Sequence, residues 1–296
     1  MDRYVLLEDR GFVSVAGEDR RAFLQGLISN DMAKVSPGHA AYSAFLTAQG
    51  KFLHDFFIVD LGEFLLLDCE RGRAEDLRKR LSLYKLRSKV VLGTVTDEYR
   101  ALAAFGPKVA EKMRLTEPGQ AIEYAGGIAY LDPRLAAMGV RFLLHPGLGE
   151  DPLVAIGCIR AEPEEYDALR IANGLPDGSR DMVVDKAILL ENGFDELGGV
   201  DWKKGCYIGQ ELTARTKYRG LIKKRLMPVE VDGPMPAPGT EIALDGKEAG
   251  EMRSGHGGRG LALLRLEAVE TALAEGRPLT AGETKLTPKK PAWAAF

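Results

Sequence analysis

The strongest constraint on the fold is a change in the pattern of apolar runs and turn residues near residue 225. Beyond that point the chain reads MPVEVDGPMPAPGTEIALDGKEAGEMRSGHGGRGLALLRLE, in which short strand-like runs alternate with proline, glycine and Asp-Gly turns. This pattern is typical of all-β domains and predicts a small C-terminal β-barrel, with a boundary close to Met227-Pro228. The string GHGGRG lacks the apolar strand that precedes a dinucleotide-binding loop, so it is interpreted as a β-turn.

Upstream of residue 225, strand-like and helical patterns alternate. GFVSVA (11–16) predicts a strand, and the apolar runs on either side of Leu61-Gly62-Glu63 predict a hairpin. Leucine spacing predicts a helix from about Ala74 to Tyr84. EPEEYDALRIANG predicts another helix, which begins near Pro163 and stops at Asn173-Gly174. This mixed order favours an α+β fold over a doubly wound parallel sheet.

Length and charge narrow the class of protein. A chain of 296 residues predicts two or three domains. Its net charge of −3 means that any nucleic-acid role would have to rest on a local basic patch. The apolar runs are far shorter than the roughly 20 residues that a membrane helix needs, and the acidic start does not resemble a targeting peptide. We therefore expect a cytoplasmic protein that binds no membrane.

The chain has three cysteines, Cys69, Cys158 and Cys206, with no C-x-x-C pair among them. This spacing suits neither a disulfide framework nor a complete metal site, and it cannot supply the four thiolates of an iron–sulfur cluster. Cys69 and Cys158 lie in apolar runs and are interpreted as buried. Cys206 follows Lys203-Lys204-Gly205, and nearby cations favour a thiolate that can act as nucleophile or soft-metal ligand. A tight turn in which the cysteine only packs is equally compatible with these local features.

A run of cations follows Cys206. Residues 213–225 contain six basic side chains and no acidic one: Arg215, Lys217, Arg219, Lys223, Lys224 and Arg225. Such a run is usually a solvated face, but it could also bind an anion, such as a nucleic-acid backbone or the glutamate tail of a folate. Apart from Tyr218 it lacks interleaved aromatic residues, which argues against direct nucleic-acid binding.

One long motif carries a family resemblance. KGCYIGQELTAR resembles the signature of the YgfZ-type folate-binding proteins. These are relatives of the glycine-cleavage aminomethyltransferase (T-protein) and include the mitochondrial iron–sulfur cluster assembly factors. Further blocks follow in the family's order, namely FLQGLISNDMAKVSPG, TAQGKFLHDFFIVD, AFGPKVAE, LRIANGLPDG and GEMRSG…GLALLRLE. TKYRGLIKKRLMPVEV resembles the mitochondrial branch in particular.

The resemblance implies an α+β, three-domain aminomethyltransferase-like fold around a central folate channel. The first domain would be discontinuous, comprising residues 1–46 and 147–225, and would carry the Lys-Gly-Cys motif. Residues 47–146 would form a ferredoxin-like domain, and residues 226–296 the C-terminal β-barrel.

The resemblance also implies the site residues. Cys206 would be the functional thiol and a ligand to a transient iron–sulfur cluster shared with a partner. The residues implied in binding tetrahydrofolate or a derivative are Asp55, Arg170, Lys204, Gly205, Gly209, Gln210 and Glu211. Where the transferase has a G-Y-T-G-E block with a pterin-binding glutamate, this chain has DPRLAAMGVRFLL, so efficient aminomethyl transfer is not expected.

These observations lead to two functional hypotheses. The first is a folate-binding accessory factor for assembly or repair of 4Fe–4S clusters, which acts with assembly proteins of the A-type scaffold class and is not a conventional turnover enzyme. The alternative is a folate-dependent aminomethyltransferase or demethylase that acts on a small amine. A link to tRNA modification would be indirect, through maturation of cluster-containing enzymes.

Overall fold

The structure, a computed structural model, describes residues 1–220 and 222–296. In chain order its strands are β1 (Arg3–Leu6), β2 (Arg10–Ala16), β3 (Ala41–Leu46), β4 (Phe52–Asp60), β5 (Phe64–Glu70), β6 (Val91–Thr94), β7 (Arg100–Phe105), β8 (Ala121–Tyr124), β9 (Gly127–Leu131), β10 (Val140–Leu144), β11 (Ile159–Arg160), β12 (Lys224–Asp232), β13 (Glu241–Leu244), β14 (Lys247–His256), β15 (Arg259–Arg265), β16 (Leu279–Ala281) and β17 (Thr284–Pro288).

The helices are short and are distributed along the whole chain. They are α1 (Arg20–Gln25), α2 (Ala74–Ser82), α3 (Val109–Lys112), α4 (Asp151–Ala155), α5 (Pro163–Ala172), α6 (Gly178–Asp181), α7 (Gln210–Tyr218) and α8 (Leu266–Glu275). Single 3₁₀ turns occur at Met32–Lys34, Arg71–Arg73, Ala136–Met138, Pro146–Leu148 and Leu189–Asn192. In the part of the chain that the structure describes, no helix has the length and apolarity needed to cross a membrane.

The chain forms two compact units. The first unit comprises Met1–Leu46, Leu53–Pro163 and Leu197–Ile208. The second unit comprises Thr47–Phe52, Glu164–Glu196 and Gly209–Phe296. The division into three domains remains a prediction.

The first unit contains two sheets. One has the strand order β11-β1-β7-β10-β9-β8, and the other has the order β3-β4-β5-β2-β6. All nine residues of β4 are buried, which accounts for the nearly continuous apolar run FLHDFFIVD. The apolar core on the first sheet includes Leu102, Val140 and Phe142, which are fully buried.

The second unit contains a closed barrel with the strand order β12-β15-β14-β13-β16-β17. Closure pairs the strands at both ends of the series and leaves no free sheet edge. The barrel is filled by apolar side chains that include Ile242, Met252 and Leu264.

Most local predictions are confirmed. The predicted strand at 11–16 is β2, the predicted hairpin joins β4 to β5 through Gly62 with φ of 84°, and the predicted C-terminal barrel is present. GHGGRG lies at the turn between β14 and β15, with positive φ at Gly257 and Gly258. Two details differ: α2 ends at Ser82 rather than Tyr84, and Met227-Pro228 lies inside β12 rather than at a boundary.

Candidate functional site

Cys206 is the accessible thiol of the chain. It is exposed, whereas Cys69 and Cys158 are buried. Burial raises the pKa of Cys69 to about 12 and also raises the pKa of Cys158, so both stay protonated and unreactive. The structure thus separates the three cysteines as their sequence contexts predicted.

Lys204 fixes the loop that carries Cys206. Its ammonium donates to the backbone carbonyls of Gln25, Ile28 and Asn30 at 2.8, 2.6 and 2.7 Å. The same nitrogen lies 4.9 Å from the centroid of the Tyr207 ring. Burial lowers the pKa of Lys204 to about 8, although Asp31 and Asp201 oppose that shift. An ammonium has three hydrogens, so all of its donors are used within the protein.

Asp201 supports the same loop from its other side. One carboxylate oxygen accepts the backbone N–H groups of Lys203 and Lys204 at 2.6 and 2.9 Å. The other lies 2.7 Å from the ammonium of Lys34. Burial alone would raise the pKa of Asp201. The Lys34 ammonium and these N–H donors outweigh burial and hold this pKa below its usual value. Downstream of the thiol, the N–H of Ile208 donates to the carbonyl of Gly26 at 3.2 Å.

These contacts bring two distant motifs together. Ser29 Oγ donates to the carbonyl of Gly199 at 2.6 Å, and Asn30 Nδ2 donates to that of Gly198 at 2.7 Å. The FLQGLISND block therefore forms hydrogen bonds with the loop that carries the Lys-Gly-Cys motif. Sequence reasoning treated the two blocks separately, because hydrogen bonds to backbone carbonyls leave no residue pattern.

The predicted site residues are divided between the two units. Cys206, Lys204, Gly205 and Asp55 belong to the first unit, whereas Arg170, Gly209, Gln210 and Glu211 belong to the second. The roles assigned to these residues stay predictions.

Gly209 begins helix α7 in the left-handed conformation, with φ of 80°. A glycine is favoured there because it has no Cβ to clash with the backbone. Glu211 in the first turn is 82% exposed and lies 2.5 Å from Arg215 one turn later. The helix start thus depends on Gly209, and Glu211 forms a surface ion pair.

Arg170 is engaged on all sides by the protein. It is 5% exposed, and its guanidinium donates to Asp167, Asp181 and the hydroxyl of Ser254 at 2.7 to 2.9 Å. It also donates to the carbonyl of Leu175 at 2.7 Å. These bonds tie α5 to α6 and β14 within the second unit. The structure therefore gives Arg170 a structural role that uses four of its five N–H donors.

Asp55 lies in a buried polar cluster that the sequence did not reveal. Its carboxylate accepts a hydrogen bond from the Tyr42 hydroxyl at 2.7 Å. The Arg134 guanidinium lies 5.4 Å from the Tyr42 ring centroid and 4.8 Å from that of Phe57. Arg134 also pairs with Asp132 at 2.8 Å, in the segment DPRLAAMGVRFLL.

Two further arginines surround Phe57. Arg141 and Arg10 lie 4.2 and 5.7 Å from its ring centroid. Both pair with the fully buried Asp68, at 2.8 and 2.7 Å. Burial alone would raise the pKa of Asp68. These two arginines outweigh burial and hold this pKa below its usual value. The interior of the first unit therefore carries paired charged groups packed against aromatic rings.

Three of the six cations in the predicted run form ion pairs, and one of these three, Arg225, is buried. Arg215 pairs with Glu211, Lys224 lies 3.1 Å from Glu248, and Arg225 lies 2.9 Å from Glu196. Residue 221, within the run, lies outside the described residues. These pairs favour the interpretation as a partly neutralised surface over that of an anion site.

The described residues contain no group of three or more His, Cys, Asp or Glu side chains that could hold a metal ion. Cys206 could at most contribute one ligand to a cluster completed by another protein.

Comparison with known proteins connects the two ends of the chain to one superfamily. Residues 8–130 match the GCVT N-terminal domain, and residues 223–296 match the CAF17 C-terminal β-barrel domain. The Mus musculus mitochondrial iron–sulfur cluster assembly factor IBA57 is 34% identical over 288 residues, which covers 90% of this chain and 78% of the relative. The Homo sapiens protein of that name is 35% identical over 287 residues, with the same coverage of both chains.

The fold has a counterpart among solved structures. Aminomethyltransferase T of the glycine cleavage system from Bartonella henselae matches with a TM-score of 0.78 and 16% identity, over 99% of this chain and 86% of that one. The predicted α+β, aminomethyltransferase-like fold is confirmed, as is the resemblance to that superfamily and its mitochondrial assembly-factor branch.

The predicted location is wrong. The sequence was expected to specify a cytoplasmic protein, but the relatives above are mitochondrial proteins and point to a mitochondrial location. The expectation failed because composition and the absence of long apolar runs do not report on a compartment.

Proposed function

This chain belongs to the family of the iron–sulfur cluster assembly factor IBA57, and we propose that it acts in iron–sulfur cluster assembly or repair through Cys206. One observation carries the proposal: Cys206 is exposed on a loop that is anchored before and after the thiol. An exposed sulfur on a fixed loop can meet iron or sulfide without a folding step.

Cys206 acts in this proposal as one ligand among several. A thiolate is a good ligand for iron in clusters, and a cluster usually takes four of them. Since the other two cysteines are buried, the remaining ligands come from a partner. Assembly proteins of the A-type scaffold class are the proposed partners, and 4Fe–4S clusters the proposed cargo.

Folate binding is the second part of the proposal. The Tyr42–Asp55–Arg134 cluster has groups that suit a pterin: a carboxylate to accept ring N–H groups, and aromatic and guanidinium planes to stack on the ring. Asp55, Tyr42 and Phe57 would hold the ring, and tetrahydrofolate would supply one-carbon or reducing chemistry when bound. In this cluster the side chains bind and orient the ligand.

The test is genetic rescue with matched cysteine variants. Cells that lack the protein receive wild type, Cys206→Ala or Cys158→Ala, and the activities of their 4Fe–4S enzymes are measured. We expect wild type and Cys158→Ala to restore these activities and Cys206→Ala to fail. Thermal unfolding of each purified variant shows whether the failure reflects lost chemistry or lost fold.

Two results would contradict the proposal. Full rescue by Cys206→Ala would make the thiol dispensable, and unchanged 4Fe–4S activities in cells without the protein would remove the assembly role itself.

A further inference from the structure

The turn after helix α2 presents a run of exposed side chains that includes large apolar ones. All five residues from Leu83 to Arg87 are exposed. Leu83 and Leu86 are 75% and 89% exposed, and Val91 at the start of β6 is 65% exposed. We refer to residues 83–91 as the α2–β6 patch. Clustered apolar side chains in water mark interaction sites on soluble proteins.

The backbone of this patch is ordered and strained. The N–H of Lys85 donates to the carbonyl of Ser82 at 3.2 Å, and that of Ser88 donates to the carbonyl of Lys85 at 2.7 Å. Leu86 has φ of 42°, a left-handed conformation that bulky residues rarely adopt. An open groove of about 720 Å³ is lined by Asp19, Tyr84, Leu86, Arg87 and Ser88. Strain of this kind is typical of binding sites.

Strand β6 continues the patch with an open sheet edge. It is the last strand of the series β3-β4-β5-β2-β6. The N–H of Val95 donates to the carbonyl of Phe12 at 2.9 Å, so by alternation Gly93 and Val91 face β2. The peptide groups of Leu92 and Thr94 therefore point to the free edge. An edge of this kind can pair with a strand from another chain.

The charge of the patch and of its flanking residues indicates what kind of strand could pair with this edge. Residues 78–96 contain six basic side chains and no acidic one. Arg78, Lys79 and Arg80 pair with acids of α2, and Lys89 pairs with Glu18. Within residues 1–220 and 222–296, no ion pair engages Lys85 or Arg87. The two cations beside the exposed leucines are thus available to an acidic partner.

We propose that the α2–β6 patch binds an extended segment of a partner protein in which acidic residues alternate with apolar ones. The segment adds to β6 as a further strand and pairs with the peptide groups of Leu92 and Thr94. Its apolar side chains cover Leu86 and Val91, and its carboxylates pair with Lys85 and Arg87. An edge strand that is protected against pairing with other chains carries charged side chains, whereas the segment beside this edge also exposes leucines. The patch shares no residue with the Lys-Gly-Cys motif or with the Tyr42–Asp55–Arg134 cluster.

The test uses the full chain and a random octapeptide display library as the probe. The library is selected on wild type, with Lys85→Glu/Arg87→Glu for counter-selection, and enriched peptides are synthesised for fluorescence anisotropy. We expect alternating acidic and apolar sequences that bind wild type at least tenfold more tightly than this double variant or Leu86→Ser. Lys247→Glu/Lys285→Glu, with the same charge change on the barrel, should bind like wild type. N-methylation of alternate peptide nitrogens should weaken binding at least tenfold.

Each other result overturns the proposal. These results are an absence of enriched peptides, equal binding of N-methylated peptides, or equal loss in the barrel variant. Capture of wild type by phosphatidylglycerol vesicles, abolished by the double reversal and without peptide enrichment, would identify a membrane surface instead. A concentration-dependent dimer in sedimentation, abolished by Leu86→Ser, would identify a second copy of the chain.

Discussion

The ammonium of Lys204 donates a hydrogen bond of 2.6 Å to the carbonyl of Ile28, a residue 176 positions earlier in the chain. Lys204 is two residues before Cys206, whose thiol is exposed. The ammonium caps the C-terminal end of helix α1 and the turn that follows it. Backbone carbonyls at the end of a helix otherwise lack hydrogen-bond donors. In the motif, the lysine thus holds the loop and the cysteine faces solvent.

We predict that Lys204→Met destabilises the protein by about 2 kcal/mol or more, since single bonds to charged groups contribute about 1.5 to 3 kcal/mol. The loop should also open, because its three carbonyl anchors are lost. Urea unfolding measures the first effect, and hydrogen exchange of residues 202–208 measures the second.

Lys203→Met is the matched control, because Lys203 is exposed and adjacent in sequence. It should leave both stability and exchange close to wild type. Equal effects of the two substitutions would show that the loop is not held by the Lys204 ammonium.

We predict that Arg170→Gln costs about 3 to 5 kcal/mol of stability, because it leaves the buried carboxylate of Asp181 without its cation. Arg180→Gln is the control: Arg180 pairs with Asp167 but is 45% exposed, so its loss should cost less than about 1 kcal/mol. Denaturant unfolding of both variants is the measurement. A small effect at Arg170 would mean that its guanidinium does not tie α5 to α6 and β14.

His54 should make stability depend on pH. Burial, with a contribution from Arg73, lowers its pKa from 6.5 to about 4, while Asp76 at 2.9 Å opposes the shift. The unfolded chain therefore binds a proton between pH 6.5 and 4 that the folded chain does not. Stability should fall as the pH falls through this window, by about 3 kcal/mol in total from this residue.

The His54 prediction is checked by urea unfolding between pH 4.5 and 7. His54→Gln should flatten the decline, whereas His256→Gln, at an exposed turn, should leave it unchanged. An unchanged slope in His54→Gln would show that this imidazole does not titrate between the folded and unfolded states as expected.

We predict that Asp55→Asn weakens tetrahydrofolate binding about tenfold or more, because a charged acceptor lost from a buried site removes about 1.5 to 3 kcal/mol. Tyr42→Phe, which removes the hydroxyl that donates to Asp55, should weaken it less. Anaerobic isothermal titration calorimetry gives both affinities. Asp97→Asn, at a position 94% exposed, is the control. Wild-type affinity in Asp55→Asn would place the folate elsewhere.

Local patterns predicted the helices and strands whose ends are marked by proline, glycine or a change in polarity. Helix α5 begins at Pro163 as expected, and strand β2 occupies the expected apolar run. The prediction for α2 was two residues too long, because Tyr84 continues the apolar spacing although the helix has ended. Spacing reports which residues could share a face, and it does not report where the backbone turns.

The candidate site was predicted in part. Cys206 stood out because its cationic, glycine-rich context differs from the apolar contexts of Cys69 and Cys158, and the structure exposes only Cys206 among the three. The Tyr42–Asp55–Arg134 cluster was missed, apart from Asp55, because its members come from separate elements with no shared motif.

The sequence by itself determined the class of fold and the barrel, and it distinguished Cys206 from the other two cysteines, since periodicity, turn residues and side-chain context are local properties. Only the tertiary structure decided what the motif cations do. Lys204 is held by carbonyls 174 to 179 residues away, and Arg170 by a serine 84 residues away. The physical reason is that the role of a buried charge depends on the groups that replace its water, and the fold brings those groups from distant parts of the chain.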